Sequence, residues 1–201
     1  MDKEIIFSKY KILGSNYHYR QINKKSLKEF NAYVFARYSL EIDLLKKIIN
    51  ESKKQVNRIL DIGCGDGVLI YLIAKKLKKK TIRLFGIDSS EIAIEVAKKK
   101  IPLAKFKVAN IYDLPFKENY FDIIISSDVI EHVSEANKML SEIRRVGKNN
   151  SYIIIGTPIK YTEKPIDNNH YHEFFPDEYK RLLDNFFYGI KKSHRYPTIH
   201  F

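Results

Sequence analysis

The chain has 201 residues, 44% of them hydrophobic, with a single cysteine and a formal charge of +12. That length suits one domain with a buried core and falls short of two. One cysteine excludes an internal disulfide framework and a cysteine-built zinc site, and apolar runs such as 68–74 and 123–125 are far too short to span a bilayer.

The start, Met1-Asp2-Lys3-Glu4, lacks the layout of a signal peptide, so a cytoplasmic location is expected. The positive charge invites a nucleic-acid partner. Much of it, however, stands in Lys75, Lys76, Lys78, Lys79 and Lys80 and in Lys98, Lys99 and Lys100. Both groups fall at the C-terminal ends of expected helices, where cations suit the helix dipole. Lysine also outnumbers arginine, the usual reader of bases and phosphates. Solvated helix ends are the favoured reading, and nucleic acid the lesser one.

The first thirty residues are aromatic and polar without a clear period, among them Phe7, Tyr10, Tyr17, His18, Tyr19 and Arg20. Ser26 is placed to cap a helix in which Leu27, Phe30, Val34, Tyr38, Ile42, Leu45 and Ile49 recur at three- and four-residue steps. Residues 57–62 read as a first buried strand, ending in Asp61. A turn with Gly63, Gly65 and Gly67 follows, then a helix over 67–79 with Leu69, Leu72, Ile73 and Leu77 inward.

Residues 83–87 form the second expected strand, closed by Asp88, with Ser89 or Ser90 capping the helix after it. A third strand covers 104–109 and a fourth, almost wholly apolar, 121–126, as expected when both faces are covered. Ser134 is placed to cap the next helix, which buries Ala136, Met139, Leu140 and Ile143 and stops at Gly147. Residues 152–155 form a fifth strand. Pro176 opens a last helix lined by Tyr179, Leu182, Leu183 and Phe186. Strands alternating with helices mean a doubly wound, mostly parallel α/β sheet whose ligand lies over the carboxyl ends of the strands.

Leu60-Asp61-Ile62-Gly63-Cys64-Gly65-Asp66-Gly67 resembles the first motif of class I S-adenosylmethionine-dependent methyltransferases. The stretches 86–90, 109–116 and 121–126 are similar to the second, third and fourth strand ends of that family. Val129-Ile130-Glu131-His132-Val133, Arg144-Arg145-Val146 and Ile155-Gly156-Thr157-Pro158 follow in the family's order, so the resemblance runs from about 57 to 186. It implies a Rossmann-like methyltransferase fold with an N-terminal helical cap (1–50) on a core (51–201), in one domain overall. The rival reading is a nicotinamide dinucleotide site, whose G-x-G-x-x-G motif wants a glycine where Val68 stands.

The resemblance implies S-adenosylmethionine as cofactor. Gly63, Cys64, Gly65 and Gly67 would let the backbone approach it, Asp61 would meet its ammonium, and Asp88 would accept from both ribose hydroxyls. Asp88 also has a plain role as a helix cap, compatible with the first. Asn110 stands where family members usually carry an aspartate contacting the adenine amino group; it keeps an acceptor and loses the charge. Ile111 and Tyr112 would flank the adenine, with Ser89 and Ser127 at the neighbouring strand ends. Cys64 reads as a small residue that fits the turn.

Methyl transfer to a hydroxyl or protonated amine is helped by a general base, usually histidine. The candidates are His132, just beyond the fourth strand, and His170 and His172 after the fifth. His132 has a plain alternative as a hydrogen-bonded residue of its turn. Two histidines at i,i+2 share a direction only on a strand and no third ligand is evident, so no metal is expected. The resemblance implies a small-molecule acceptor, such as a sugar, lipid or quinone precursor, with an RNA, protein or catalytically degenerate relative as alternatives. Tyr17, Tyr19 and Tyr33, with Arg20 and Arg37, are expected in a cap, where an arginine would hold a carboxylate. After Phe186 only residues 187–201 remain for the family's closing hairpin. A shortened C-terminal strand region is therefore expected, with an edge that a second copy of the chain would cover as a homodimer.

Overall fold

Isoleucines and leucines at alternate positions of the central strands turn to opposite sides of one sheet, and both sides are covered. The computed structural model describes residues 9–14, 16–23, 30–77 and 81–187. Its elements up to mid-chain are α1 (Lys9–Leu13), α2 (Tyr17–Gln21), α3 (Ala32–Glu51), β1 (Arg58–Ile62), α4 (Val68–Leu77), β2 (Arg83–Asp88) and α5 (Glu91–Lys100). Then come β3 (Lys105–Val108), β4 (Phe121–Ser127), a 3₁₀ turn (Ile130–His132), α6 (Ala136–Val146), β5 (Gly147–Gly156) and α7 (Pro176–Asp184). The strands lie in the order β3-β2-β1-β4-β5, each parallel to its neighbours. This is the expected doubly wound, Rossmann-like architecture.

On one side, Ile59, Ile123, Ile125 and Ile154 pack with Val34, Tyr38, Ile42 and Leu45 of α3 and Val68, Leu69 and Ile73 of α4. On the other, Leu60, Ile62, Phe85, Ile87 and Ile124 meet Met139, Leu140, Ile143 and Val146 of α6, with α7 joining through Tyr179, Leu182 and Leu183. Leu60, Ile62, Ile123 and Ile124 have no exposed surface, and each such side chain contributes ~1.5–3 kcal/mol by leaving water. Strand order reverses between β1 and β4. A crevice therefore opens at their carboxyl ends, where the flanking connections diverge.

Three local readings are corrected and one pair of alternatives is resolved. Helix α3 starts at Ala32, and its cap is Asn31, whose Oδ1 accepts from Val34 N–H at 3.1 Å. Ser26 and Leu27 lie outside the described residues, and Phe30 precedes the helix. Asn31→Ala should lower stability by about 1 kcal/mol, read as a lower urea midpoint at an unchanged slope. Of the two serines before α5, Ser90 is the cap, accepting from Ala93 N–H at 3.2 Å.

Ser134 does not cap α6, which begins two residues later behind Glu135 without a side-chain cap. Instead the Tyr112 hydroxyl accepts from the N–H groups of Ser134 and Glu135 at 3.1 and 3.3 Å. Strand β5 begins at Gly147 rather than 152. Gly147 pairs with Phe121, but Tyr152 pairs with Ile123, so polar Lys148–Ser151 bulge between them and hide the strand's start from an apolar pattern. Helices α1 and α2 have five residues each, too few to show a period. Lys78, Lys79 and Lys80 and the expected shortened C-terminal strand region at 188–201 fall outside the described residues.

Candidate active site

The carboxyl ends of the strands, α1 to α3 and the segment 158–171 enclose a cleft of about 2050 Å³. Single small-ligand pockets usually stay below about 1,000 Å³, so this one has room for two ligands side by side.

Its floor is the glycine turn. The N–H groups of Gly63 and Cys64 both donate to the Ile87 carbonyl at 2.9 Å, folding the end of β1 onto β2. Gly63 and Gly65 have φ of +72° and +52°, a region costly for any residue with a Cβ. A Cβ on Gly63 would collide with Val129, and one on Gly65 with the Tyr10 hydroxyl. Gly67 (φ +82°) instead faces α5, where a Cβ would come within 3.0 Å of Ala97 and Ile101. It serves helix packing and does not line the cleft.

Asp88 accepts from Gly65 N–H at 2.9 Å through Oδ2 and from Ser90 N–H at 2.8 Å through Oδ1. Each oxygen keeps a second lone pair, so the capping role leaves room for hydroxyl donors. Burial raises its pKa, opposed by those two N–H groups and by His18. Asp61 is 3% exposed and its Oδ2 has no hydrogen-bond partner. Burial, then Glu41 and Asp88, push its carboxyl well above the usual range, with Arg37 opposing. Burial, then Asp61, Asp88 and Asp66, push the Cys64 thiol up as well, which keeps it protonated and a packing residue.

Helix α3 contributes two charged groups on its buried face. Glu41 accepts from the Ser127 hydroxyl, and Arg37 pairs with Asp128 just beyond β4. Arg37, Tyr33 and Tyr17 line the cleft. Tyr19 instead lies edge-on to Tyr71 with centroids 5.6 Å apart, and Arg20 bonds the Leu13 carbonyl. The cap is pinned to the turn through Asp66. His18 N–H donates to Asp66 Oδ2 at 3.1 Å, its ring Nδ1 is 3.2 Å from Oδ1, and Asp66 N–H donates to the Tyr10 hydroxyl at 3.1 Å. Ser89, Asn110, Ile111 and Tyr112 line the β2–β3 end of the cleft. Asn110 Oδ1 accepts from Tyr112 N–H at 2.9 Å, which shapes that loop as an Asx turn.

Glu131, His132 and His170 also line the cleft. The Glu131 carbonyl accepts from Tyr171 and His172 N–H at 2.7 and 3.1 Å, so the loop after β5 is tied to the 3₁₀ turn after β4. The imidazoles of His132 and His170 meet edge-on at 5.0 Å. His132 Nδ1 is 3.2 Å from the Asn169 carbonyl, and His170 Nδ1 is 2.7 Å from Glu173. Burial pushes the Glu173 carboxyl up, but the N–H groups of Ile166 and Asp167 and the His170 ring hold it below its ordinary value. His172 turns away, bonding Glu178 at 2.7 Å and packing on Phe174. Sequence reasoning had nominated neither Glu41 nor Glu131. A charged residue four after Arg37 on the buried face of α3 was the available signal for the first, and adjacency to His132 for the second.

A family model described as a methyltransferase domain matches residues 23–199. An uncharacterised methyltransferase of Schizosaccharomyces pombe is 31% identical over 111 residues, covering 50% of this chain and 39% of that protein. The ubiquinone/menaquinone biosynthesis C-methyltransferase UbiE of Campylobacter jejuni is 32% identical over 113 residues, 55% of this chain and 48% of the relative. The chain thus spans about half or less of the length of these curated relatives. Among solved structures, the CurJ carbon methyltransferase superposes with a TM-score of 0.66 at 15% identity, covering 83% of this chain and 50% of that one. That likeness shows the fold.

Proposed function

Because this chain belongs to the class I S-adenosylmethionine-dependent methyltransferases, we propose that it methylates an oxygen or nitrogen atom of a small molecule. The residues present fit the cofactor. Asp61 Oδ2 is a buried acceptor without a donor, suited to an ammonium. The positive-φ turn at Gly63 and Gly65 leaves no room for a Cβ, and Asp88 retains lone pairs for ribose hydroxyls. When bound, S-adenosylmethionine supplies an electrophilic methyl carbon: the acceptor–carbon bond forms as the carbon–sulfur bond breaks, its electron pair staying on sulfur.

The chain's own work is positioning and exclusion of water, which suit a displacement that disperses charge. Tyr10 and His18 hold the cap on the turn, while Arg37 and Asp128 fix the junction of α3 with the end of β4. The observation that carries the heteroatom reading is the cluster of Glu131, His132 and His170 beside the turn. An O–H or N–H acceptor must lose a proton during transfer, and imidazoles and a carboxylate promote that loss either as bases or by holding a Lewis-acidic cation. UbiE and CurJ carry carbon methyltransferase in their names, so transfer to carbon is the rival outcome.

Incubation with S-adenosylmethionine and a panel of small hydroxylated, amino and carbon acceptors should yield adenosylhomocysteine with the heteroatom acceptors. Transfer confined to carbon, or to RNA or protein, would reject the reading. Calorimetry showing binding without transfer to any acceptor would point to a binding module.

A further inference from the structure

We infer that Glu131, His132 and His170 form a binding site for one divalent first-row transition-metal ion at the acceptor end of the cleft. One ligand atom from each of the three lies within 4.8 Å of those of the other two. Ligand atoms on an ion at ~2.0–2.2 Å lie at most about 4.4 Å apart, so small side-chain rotations close the set. No local pattern announces it: Glu131 and His132 come from the 3₁₀ turn after β4, and His170 from the loop after β5. The expectation of no third ligand considered only His170, His172 and Glu173, and the fold supplies a different set.

Each ligand is oriented by a neighbour, as metal ligands commonly are. His132 gives Nδ1 to the Asn169 carbonyl at 3.2 Å and His170 gives Nδ1 to Glu173 at 2.7 Å. With Nδ1–H engaged in this way, Nε2 is the nitrogen of each ring that carries a lone pair for a metal. Glu131 Oε2 accepts from the Thr157 hydroxyl at 2.9 Å, which fixes the carboxylate. The pattern of an imidazole backed by a carboxylate recurs around protein-bound metals.

Two imidazoles with one carboxylate select a first-row transition ion over Mg²⁺ or Ca²⁺, which prefer all-oxygen sets. Three ligands also leave coordination positions open toward the cleft, the mark of a catalytic rather than structural site. Methyl transfer needs no oxidant, so the ion acts as a Lewis acid. It binds the acceptor oxygen and makes its hydroxyl more acidic. The proton leaves to solvent as the oxygen–methyl bond forms and the carbon–sulfur bond breaks. This role rests on the proposed heteroatom methylation; the binding of the ion does not.

The test is titration of the EDTA-treated, dialysed full chain with Co²⁺, followed by calorimetry and by the visible d–d bands of the ion. One Co²⁺ per chain is expected, with ligand-field bands that an equal concentration of Mg²⁺ leaves unchanged. Glu131→Gln and His170→Gln should each weaken Co²⁺ binding at least about 10-fold, and Glu173→Gln, which keeps all three ligands, by about 10–100-fold. Absence of saturable Co²⁺ uptake by the unsubstituted chain, uptake equal in the ligand variants, or displacement by Mg²⁺ would overturn the site. Adenosylhomocysteine calorimetry on the same samples verifies folding of each variant, and the acceptor panel separates the two readings. Transfer to heteroatoms without Co²⁺ binding rejects the ion alone, and Co²⁺ binding with transfer confined to carbon rejects the heteroatom reading alone.

Discussion

Asp88→Ala should weaken binding of both S-adenosylmethionine and adenosylhomocysteine by about 10²–10⁴-fold. The proposed ribose contact consists of two hydrogen bonds to a charged acceptor, each worth ~1.5–3 kcal/mol. The substitution also removes the acceptor for the N–H groups of Gly65 and Ser90, so the turn loses one of the bonds that join it to β2. Asp88→Asn keeps one acceptor oxygen and should fall between the two. Isothermal calorimetry at neutral pH measures the effect. An affinity within a few-fold of the unsubstituted chain would reject the ribose role and leave Asp88 as a helix cap only.

Asp61→Asn should act in opposite directions on stability and on cofactor affinity. The folded protein holds the Asp61 carboxyl well above its ordinary value, first through burial and then through Glu41 and Asp88. Between the ordinary and the raised value, the native state binds more protons than the unfolded chain. Its stability therefore falls as pH rises through that window. Asparagine removes this slope, and the melting temperature of the ligand-free variant at neutral pH should exceed that of the unsubstituted chain, by about 2–4 °C for each kcal/mol recovered.

A bound ammonium reverses the balance, because it favours the ionised carboxylate. Cofactor affinity should thus increase as pH rises through the Asp61 window, and binding within it should release a proton. Calorimetry in buffers of different ionisation enthalpy detects that release. Asp61→Asn should abolish the pH dependence and lower affinity by about 10–150-fold, the value of one charge-assisted hydrogen bond of ~1.5–3 kcal/mol. A variant that binds as tightly as the unsubstituted chain, with the same proton release, would remove Asp61 from the ammonium site.

The parts of the fold legible in the sequence are those encoded by neighbours. Buried strands such as Ile123–Ile125 are continuous apolar runs because helices cover both faces, and the turn at Gly63–Gly67 is short enough to read as one motif. Helix caps were less legible. Asn31 and Ser26 are both good capping residues, and only packing of Val34, Tyr38 and Ile42 on the sheet decides between them. At α6 no side chain caps the helix; Tyr112, from the β3–β4 connection, ties down the turn just before it.

The cluster of Glu131, His132 and His170 was legible only in pieces. His132 and His170 were named for their chemistry, yet what brings them together is a pair of backbone hydrogen bonds from Tyr171 and His172 to the Glu131 carbonyl. Backbone bonds carry no side-chain signature. The same segment sends His172 to Glu178, so spacing along the chain misassigned it to the cleft. Glu41 escaped notice because a charge on a helix reads as solvent-facing until its partners, here Ser127 and the Arg37 guanidinium, are known.

A Cβ on each of the three glycines would meet a different neighbour: Val129 at Gly63, Tyr10 and His18 at Gly65, and Ala97 and Ile101 at Gly67. Five residues thus act as a common joint for the cap, the end of β4 and α5. Val129 directly precedes the 3₁₀ turn that carries Glu131 and His132. A side chain at Gly63 would therefore crowd the very segment that leads into Glu131 and His132, so one position in the turn constrains both ends of the cleft.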